Sequence, residues 1–245
     1  MCRLLGFVCE SPTPIGKLAG VGFEDFEKLS FLQHGDGWGI AQFFNNELAF
    51  EKSPNSAYGD DEFFSMTRYS KADIGIVHLR WATLDLEISP SNSHPFIDGE
   101  VAFCHNGSIF ESEKIKDWID SDQMNLIEGT TDSELIFRLI MTYAKAFPLE
   151  QAISRAAEGI SQSLSYSSLN SMLVTPDFLY VLSYYDTSQI MNDLPDDYYQ
   201  LSYQVLQDAL VVASSGWVRE NAKAIDNRKL MIVERSTMAF RSIPL

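Results

Sequence analysis

The chain has 245 residues and a formal charge of -16, enough length to bury one large core or two small ones. Apolar residues make up 45% and aromatics 12%, the balance of an ordinary globular protein rather than a disordered one. The acidic excess argues against nucleic-acid backbone or an anionic membrane surface as partner, since both need a basic face.

The three cysteines (Cys2, Cys9 and Cys104) lie at no metal-ligand spacing, and the histidines (His34, His78, His94 and His105) form no HExxH pair. A reducing compartment without disulfides is therefore expected, with no metal and no cofactor. The apolar run at 4–8 is too short for a signal peptide or a membrane span, so a cytoplasmic location is expected.

Residues 3–8 form a short apolar run followed by turn chemistry (Ser11, Pro12, Pro14, Gly16), which reads as a buried strand. Phe23, Phe26, Leu29 and Leu32 fall at helical spacing within 23–33. Next comes Gly35-Asp36-Gly37-Trp38-Gly39, three glycines in five residues, where the backbone must bend sharply or be closely approached. It lacks the lysine and spacing of a phosphate loop and has no βαβ surroundings. Strands are expected at 39–44 and 47–51 around an Asn45-Asn46 turn, and again at 74–79. That last strand delivers Arg80-Trp81-Ala82-Thr83, and an irregular stretch fills 84–99. A strand at 101–104 then runs into His105-Asn106-Gly107.

A short amphipathic helix is expected over 111–120. Thr131 and Glu134 have capping-box spacing. The helix after them carries Leu135, Ile136, Leu139, Ile140, Tyr143 and Phe147 as a core-facing stripe. Pro148 separates it from a second helix at 149–164. Strands follow at 171–175 and 178–185, an acidic loop at 186–197, and strands at 210–213, 229–234 and 237–242. Tyr198, Tyr199, Tyr203 and Trp217 read as core fillers before a partner surface. With no repeat, linker or composition break, the reading is one α+β domain over 1–245: two sheets with helices packed on them.

Each polar cluster has an ordinary explanation by itself. Cys2 can be a packing residue and Arg80 a surface arginine. Asn106-Gly107 can be a type I′ turn, and Asp132 an acid favoured at a helix N-terminus. Together they meet the needs of one reaction. Thiol cleavage of an amide requires a nucleophile, a base, oxyanion donors and substrate anchors. Removing Met1 would give Cys2 a free α-amine titrating at about 7.7–8.0, so one residue supplies nucleophile and base. Asn106 and the Gly107 N–H can aim two donors at one oxygen. Arg80 can hold a carboxylate bidentately and Asp132 can pair with an ammonium, a combination that fits an α-amino-acid head group.

The sequence resembles the class II glutamine amidotransferases. The match is carried by Met1-Cys2-Arg3, Gly35-Asp36-Gly37-Trp38-Gly39, His78-Leu79-Arg80-Trp81-Ala82-Thr83, Asn92-Ser93-His94-Pro95-Phe96, His105-Asn106-Gly107 and Thr131-Asp132-Ser133-Glu134. The resemblance implies a four-layer αββα sandwich of the N-terminal-nucleophile hydrolase type. It implies that Cys2 attacks the γ-carbonyl to give a γ-glutamyl thioester, with Asn106 and Gly107 as the oxyanion hole. Arg80 would take the α-carboxylate and Asp132 the α-amino group, while Trp81 and Thr83 line the pocket. Gly37-Trp38-Gly39 would shape its floor, and His94 and His105 would be positional.

No isomerase, phosphoribosyltransferase or synthetase pattern follows, so a standalone γ-glutamyl amide hydrolase or glutaminase is expected. The alternatives are a glutaminase subunit delivering ammonia to a separate synthase, and a non-catalytic sensor of γ-glutamyl ligands.

Overall fold

The side chains of the first strand, β1 (Arg3–Thr13), divide between two cores. Leu4 and Val8 enter one, while Leu5, Phe7 and Cys9 enter the other. A strand buried on both faces needs a layer against each, and the rest of the chain supplies them. A computed structural model describes residues 2–18, 21–82, 86–190, 194–217 and 221–245. After β1 come α1 (Ile15–Leu18), α2 (Val21–Leu32), β2 (Trp38–Phe44), β3 (Glu47–Ser53), α3 (Asp61–Arg68) and β4 (Ala72–Leu79). The middle third holds β5 (Phe96–Asp98), β6 (Val101–Asn106), α4 (Ser121–Met124), α5 (Asp132–Ala144) and α6 (Leu149–Ser163). The last third is β7 (Asn170–Val174), β8 (Phe178–Ser183), β9 (Leu201–Val205), β10 (Ala209–Ser214), β11 (Lys223–Ala224), β12 (Lys229–Glu234) and β13 (Phe240–Pro244).

These strands form a seven-stranded sheet, ordered β11-β9-β10-β1-β4-β2-β3, and a six-stranded sheet, ordered β13-β12-β8-β7-β6-β5. The strand pairings are antiparallel throughout. One core, with Leu4, Ile74, Ile76, Ala102, Cys104 and Met172, lies between the sheets. A second joins the seven-stranded sheet to the first three helices through Phe7, Phe23, Phe26, Trp38 and Phe63. A third joins the six-stranded sheet to α5 and α6 through Phe103, Phe137, Ile140, Ile153 and Ile160. The architecture is the expected four-layer αββα sandwich.

Helix α5 is held mainly by packing. Leu135, Ile136, Leu139 and Ile140 are all buried, and each is worth on the order of 1.5–3 kcal/mol on burial. The Thr131 cap, which accepts from Glu134 N at 3.2 Å, adds about 1 kcal/mol. The capping box closes on one side only. The Glu134 carboxylate accepts from the N–H groups of Glu128 and Gly129, at 2.9 and 2.7 Å, and so fixes the turn that enters the helix.

Several elements differ from the sequence reading. β1 runs five residues past 8 because Cys9 still packs inward and the chain re-registers against Ala72 beyond it. The stretch 111–120 is a 3-10 helix over Ser112–Trp118 rather than an α-helix. Short α1, α3 and α4 and strand β9 carry too few periodic residues to have been expected. The final strand lies at Phe240–Pro244 rather than 237–242, displaced by a turn in which Met238 has φ 56°. Tyr198 and Tyr199 are buried. Trp217 packs on Phe26 and Tyr203 on Phe240.

Candidate active site

Alternation along the strands brings the site together. Even-numbered Leu4 and Val8 face the inter-sheet core, so period two places Cys2 on the same side, at the end of β1. On β6, Ala102 and Cys104 face that core, and Asn106, two residues on, shares their side of the strand. Cys2 and Asn106 thus lie at the mouth between two facing sheets. Asn106 closes β6 opposite Asn170 and has no positive φ. The type I′ turn reading of Asn106-Gly107 is therefore corrected, because that turn requires positive φ at both positions. Gly107 is glycine for a different reason: an added Cβ would overlap the backbone carbonyl of Ser168.

A cavity at this mouth is lined by Cys2, Arg80, Trp81, Gly107, Asp132 and Ser133, with Ala82, Leu86, Asn92, His94, His105 and Thr131 completing it. Of the residues singled out in the sequence, Cys2, Arg80, Trp81, Gly107 and Asp132 meet around one space, with Asn106 beside Gly107; Thr83 lies outside the described residues. This cavity is small and partly open to solvent. A roomier cavity of about 490 Å³ lies at the other end of β1, around Cys9, Asp73 and Arg235. It contains none of the residues just named.

Cys2 is half-buried and its Sγ lies 3.8 Å from the Trp81 carbonyl. Burial raises the thiol pKa, opposed by a backbone hydrogen bond with Trp81 and by the Arg80 charge. The thiol is therefore protonated at neutral pH and needs a base to become a nucleophile. The Asn106 side chain is 1% exposed, and neither its Oδ1 nor its Nδ2 has a hydrogen-bond partner among the described residues. A buried amide left unbonded is costly.

The glycine-rich loop explains how Arg80 is held. Arg80 N donates to Gly37 O at 2.8 Å, and Asp36 N donates to Arg80 O at 3.1 Å. Asp36 Oδ2 accepts from Ala82 N at 2.9 Å. The guanidinium donates to two backbone carbonyls, Asp36 O at 3.3 Å and Glu87 O at 3.2 Å. Burial lowers its pKa, with Cys2 and Asp36 opposing, yet an arginine stays charged under any physiological condition. Trp38 points into the outer helical core against Phe63 and does not line the cavity, so its expected place in the pocket floor is corrected. Gly39 is required because a Cβ there would overlap the His94 carbonyl.

Asp132 opens α5 and accepts from Ile109 N at 2.8 Å, which ties the helix start to the segment after Gly107. His105 Nε2 lies 3.0 Å from Ser168 O and Nδ1 lies 2.9 Å from Ser133 Oγ. A carbonyl only accepts, so Nε2 carries a proton, while Ser133 Oγ pairs with Nδ1 and also donates to Asp132 Oδ1 at 3.3 Å. Burial lowers the His105 pKa, with Asp132 and the Ser168 carbonyl opposing. His78 and His94 are buried with ring centroids 4.0 Å apart. Burial pushes His78 down to about 3 and His94 well below its ordinary value, so both rings are neutral at pH 7. The lining residues given no place in the pocket from the sequence are Ala82, Leu86, Asn92, Thr131 and Ser133. Asn92 was visible in the Asn92-Ser93-His94-Pro95 motif, but its partners are mostly backbone groups that no sequence pattern reveals.

Facing antiparallel sheets between helical layers, with a cysteine-bearing first strand ending at the mouth between them, define a fold of the N-terminal-nucleophile hydrolase class. The chain belongs to the class-II glutamine amidotransferases: residues 1–206 match the model of that family. It is 28% identical over 161 residues to the probable glutamine amidotransferase DUG3 of Saccharomyces cerevisiae, covering 58% of this chain and 45% of that protein. It is 29% identical over 176 residues to a putative glutamine amidotransferase of Haemophilus influenzae, covering 67% and 56%. The chain thus spans about half the length of these curated relatives. A gamma-glutamyl-hercynylcysteine sulfoxide hydrolase of Mycolicibacterium smegmatis is 35% identical over 116 residues, covering 45% and 46%. The solved glutamine aminotransferase class-II domain protein of Silicibacter pomeroyi superposes with a TM-score of 0.70 over the full length of both chains. At 16% identity that likeness speaks for the fold. No helix among the described residues is long and apolar enough to cross a membrane.

Proposed function

We propose that the chain is a γ-glutamyl amide hydrolase acting as one domain over 1–245 in the cytoplasm. Removal of Met1 frees the Cys2 α-amine, which takes the thiol proton as Sγ attacks the γ-carbonyl. Asn106 and the Gly107 N–H receive the developing oxyanion. As the intermediate collapses, the C–N bond breaks and the leaving ammonia or amine takes the proton from the α-amine. Water then attacks the thioester, releasing glutamate and the free thiol. Arg80 grips the α-carboxylate and Asp132 the α-ammonium, with Trp81 and Thr83 as pocket wall.

The observation that carries this reading is the Asn106 amide, fully buried and unbonded at both heteroatoms, beside a cavity shared by Cys2, Arg80 and Asp132. The hydrolase relative from Mycolicibacterium smegmatis, whose name specifies a γ-glutamyl compound, supports the substrate class. A second reading is a glutaminase subunit that passes ammonia to a separate synthase. It draws support from the aminotransferase relative of Acinetobacter baylyi, of which the matched stretch covers 21%. The test is glutamate release from glutamine and from γ-glutamyl amides by processed protein, alone and with copurifying proteins. Release by the isolated chain supports the hydrolase, and ammonia transfer only with a partner supports the subunit. Ligand binding without glutamate formation would leave the sensor reading instead.

A further inference from the structure

Arg80 and Asp132 belong to different halves of the sandwich. Arg80 follows β4 of the seven-stranded sheet, and Asp132 begins α5, which packs on the six-stranded sheet. Gripping the two charges of an amino-acid head group requires their separation to be fixed, because a displacement of even 1 Å costs about 100-fold in rate. One buried side chain spans that gap. Asn92 is 2% exposed and lines the cavity. Its Oδ1 accepts from Thr130 N at 2.8 Å, two residues before Asp132. Its Nδ2 donates to Thr130 Oγ1 at 3.3 Å and to Glu87 O at 3.2 Å. The same Glu87 carbonyl accepts from Arg80 Nη2 at 3.2 Å. The amide is thus the middle link between the guanidinium and the start of α5. The segment it grips is itself braced: Glu134 holds the N–H groups of Glu128 and Gly129. A Cβ on Gly129 would press against Asn92 Oδ1 and Ser91 O.

We propose that Asn92 is a positioning residue that sets the distance between Arg80 and Asp132, and so selects substrates carrying both an α-carboxylate and an α-ammonium. This rests on the head-group reading above. A clamp of this kind matters only to a ligand held at both points. A ligand lacking the α-amine is held by Arg80 alone and tolerates a change in spacing.

The test compares γ-glutamyl-p-nitroanilide with glutaryl-p-nitroanilide, which lacks only the α-amine, using processed wild type, Asn92→Ala and Asn92→Asp. The aspartate variant keeps the acceptor for Thr130 N at nearly constant volume but loses the donor to Glu87 O and Thr130 Oγ1 and adds a negative charge, so the alanine variant is read beside it. The expected result is a fall of at least about tenfold in the kcat/KM ratio of the two substrates, carried by KM for the γ-glutamyl compound. A parallel loss on both substrates, or an unchanged ratio, would overturn the clamp and leave the hydrolase reading standing. Calorimetric binding of L-glutamate and glutarate to Cys2→Ala protein reads the same preference without turnover. If wild type releases no nitroaniline but this protein prefers L-glutamate and Asn92→Ala erases the preference, the clamp holds and the hydrolase reading fails. If neither compound binds, the clamp falls with the head-group grip.

Discussion

Asn106 is buried with no partner for either amide atom among the described residues, and the proposed reaction supplies one in the oxyanion. Asn106→Ala is predicted to lower kcat by about 10²–10³, the usual effect of removing one oxyanion donor, with KM changed far less. Steady-state kinetics on γ-glutamyl-p-nitroanilide reads both; a change confined to KM would count against the oxyanion role. Arg80→Lys tests the anchor. Lysine lacks the planar fork that donates to both Asp36 O and Glu87 O, so a rise of about tenfold or more in KM is expected with kcat largely kept. Cys2 carries a thiol whose pKa is raised by burial, so in the proposed reaction its proton passes to the α-amine of the same residue. Residue types and order made Cys2, Arg80, Asn106 and Asp132 legible in the sequence. Asp36 and Asn92 were not assigned roles because they act through backbone groups of residues 82, 87 and 130.

At the scale of elements, the strong hydrophobic patterns were legible and the weak ones were not. β4 and the α5 and α6 stripes fall close to where periodicity puts them. Helix α1 has four residues and α3 eight, too short for a periodic signal to separate from noise. The full burial of Phe137 was also hidden, since it lies off the expected stripe and stacks on Phe103 at 5.3 Å. Phe137→Ala is predicted to destabilise the protein by about 3–5 kcal/mol in urea unfolding. Phe31→Ala, at a residue 70% exposed on α2, is predicted to stay within about 0.5 kcal/mol. Equal costs would contradict the assignment of α5 to the core. Gly107→Ala tests the β6 corner: the new methyl would meet the Ser168 carbonyl, so the corner must shift and activity fall even in folded protein, as circular dichroism with kinetics would show.

Over the whole molecule, three buried histidines couple folding to pH. His78, His94 and His105 all have pKa values lowered by burial, so the unfolded chain binds protons that the folded one does not. The stability they allow is complete above their unfolded value of about 6.5 and falls as pH drops below it, down toward the folded values. Between pH 7.5 and 5.5 His78 and His94 should together cost about 3 kcal/mol, with His105 adding in the same direction, read as a falling urea midpoint. A midpoint unchanged over that range would contradict their burial as neutral rings. The sheet order was not legible, because the strand that returns beside β1 comes from residues 209–214 and no local pattern encodes so distant a pairing. The layer count followed from the order of strands and helices and from the family resemblance, which local periodicity alone did not contain.

The proposed reaction acylates an unblocked Cys2. Mass spectrometry of acid-quenched protein during turnover of γ-glutamyl-p-nitroanilide tests it directly. The expected result is an N-terminal peptide beginning at Cys2 and heavier by one γ-glutamyl group, absent from Cys2→Ala protein, which is inactive. An active protein whose N-terminal peptide still carries Met1, or turnover that persists in Cys2→Ala, would contradict it.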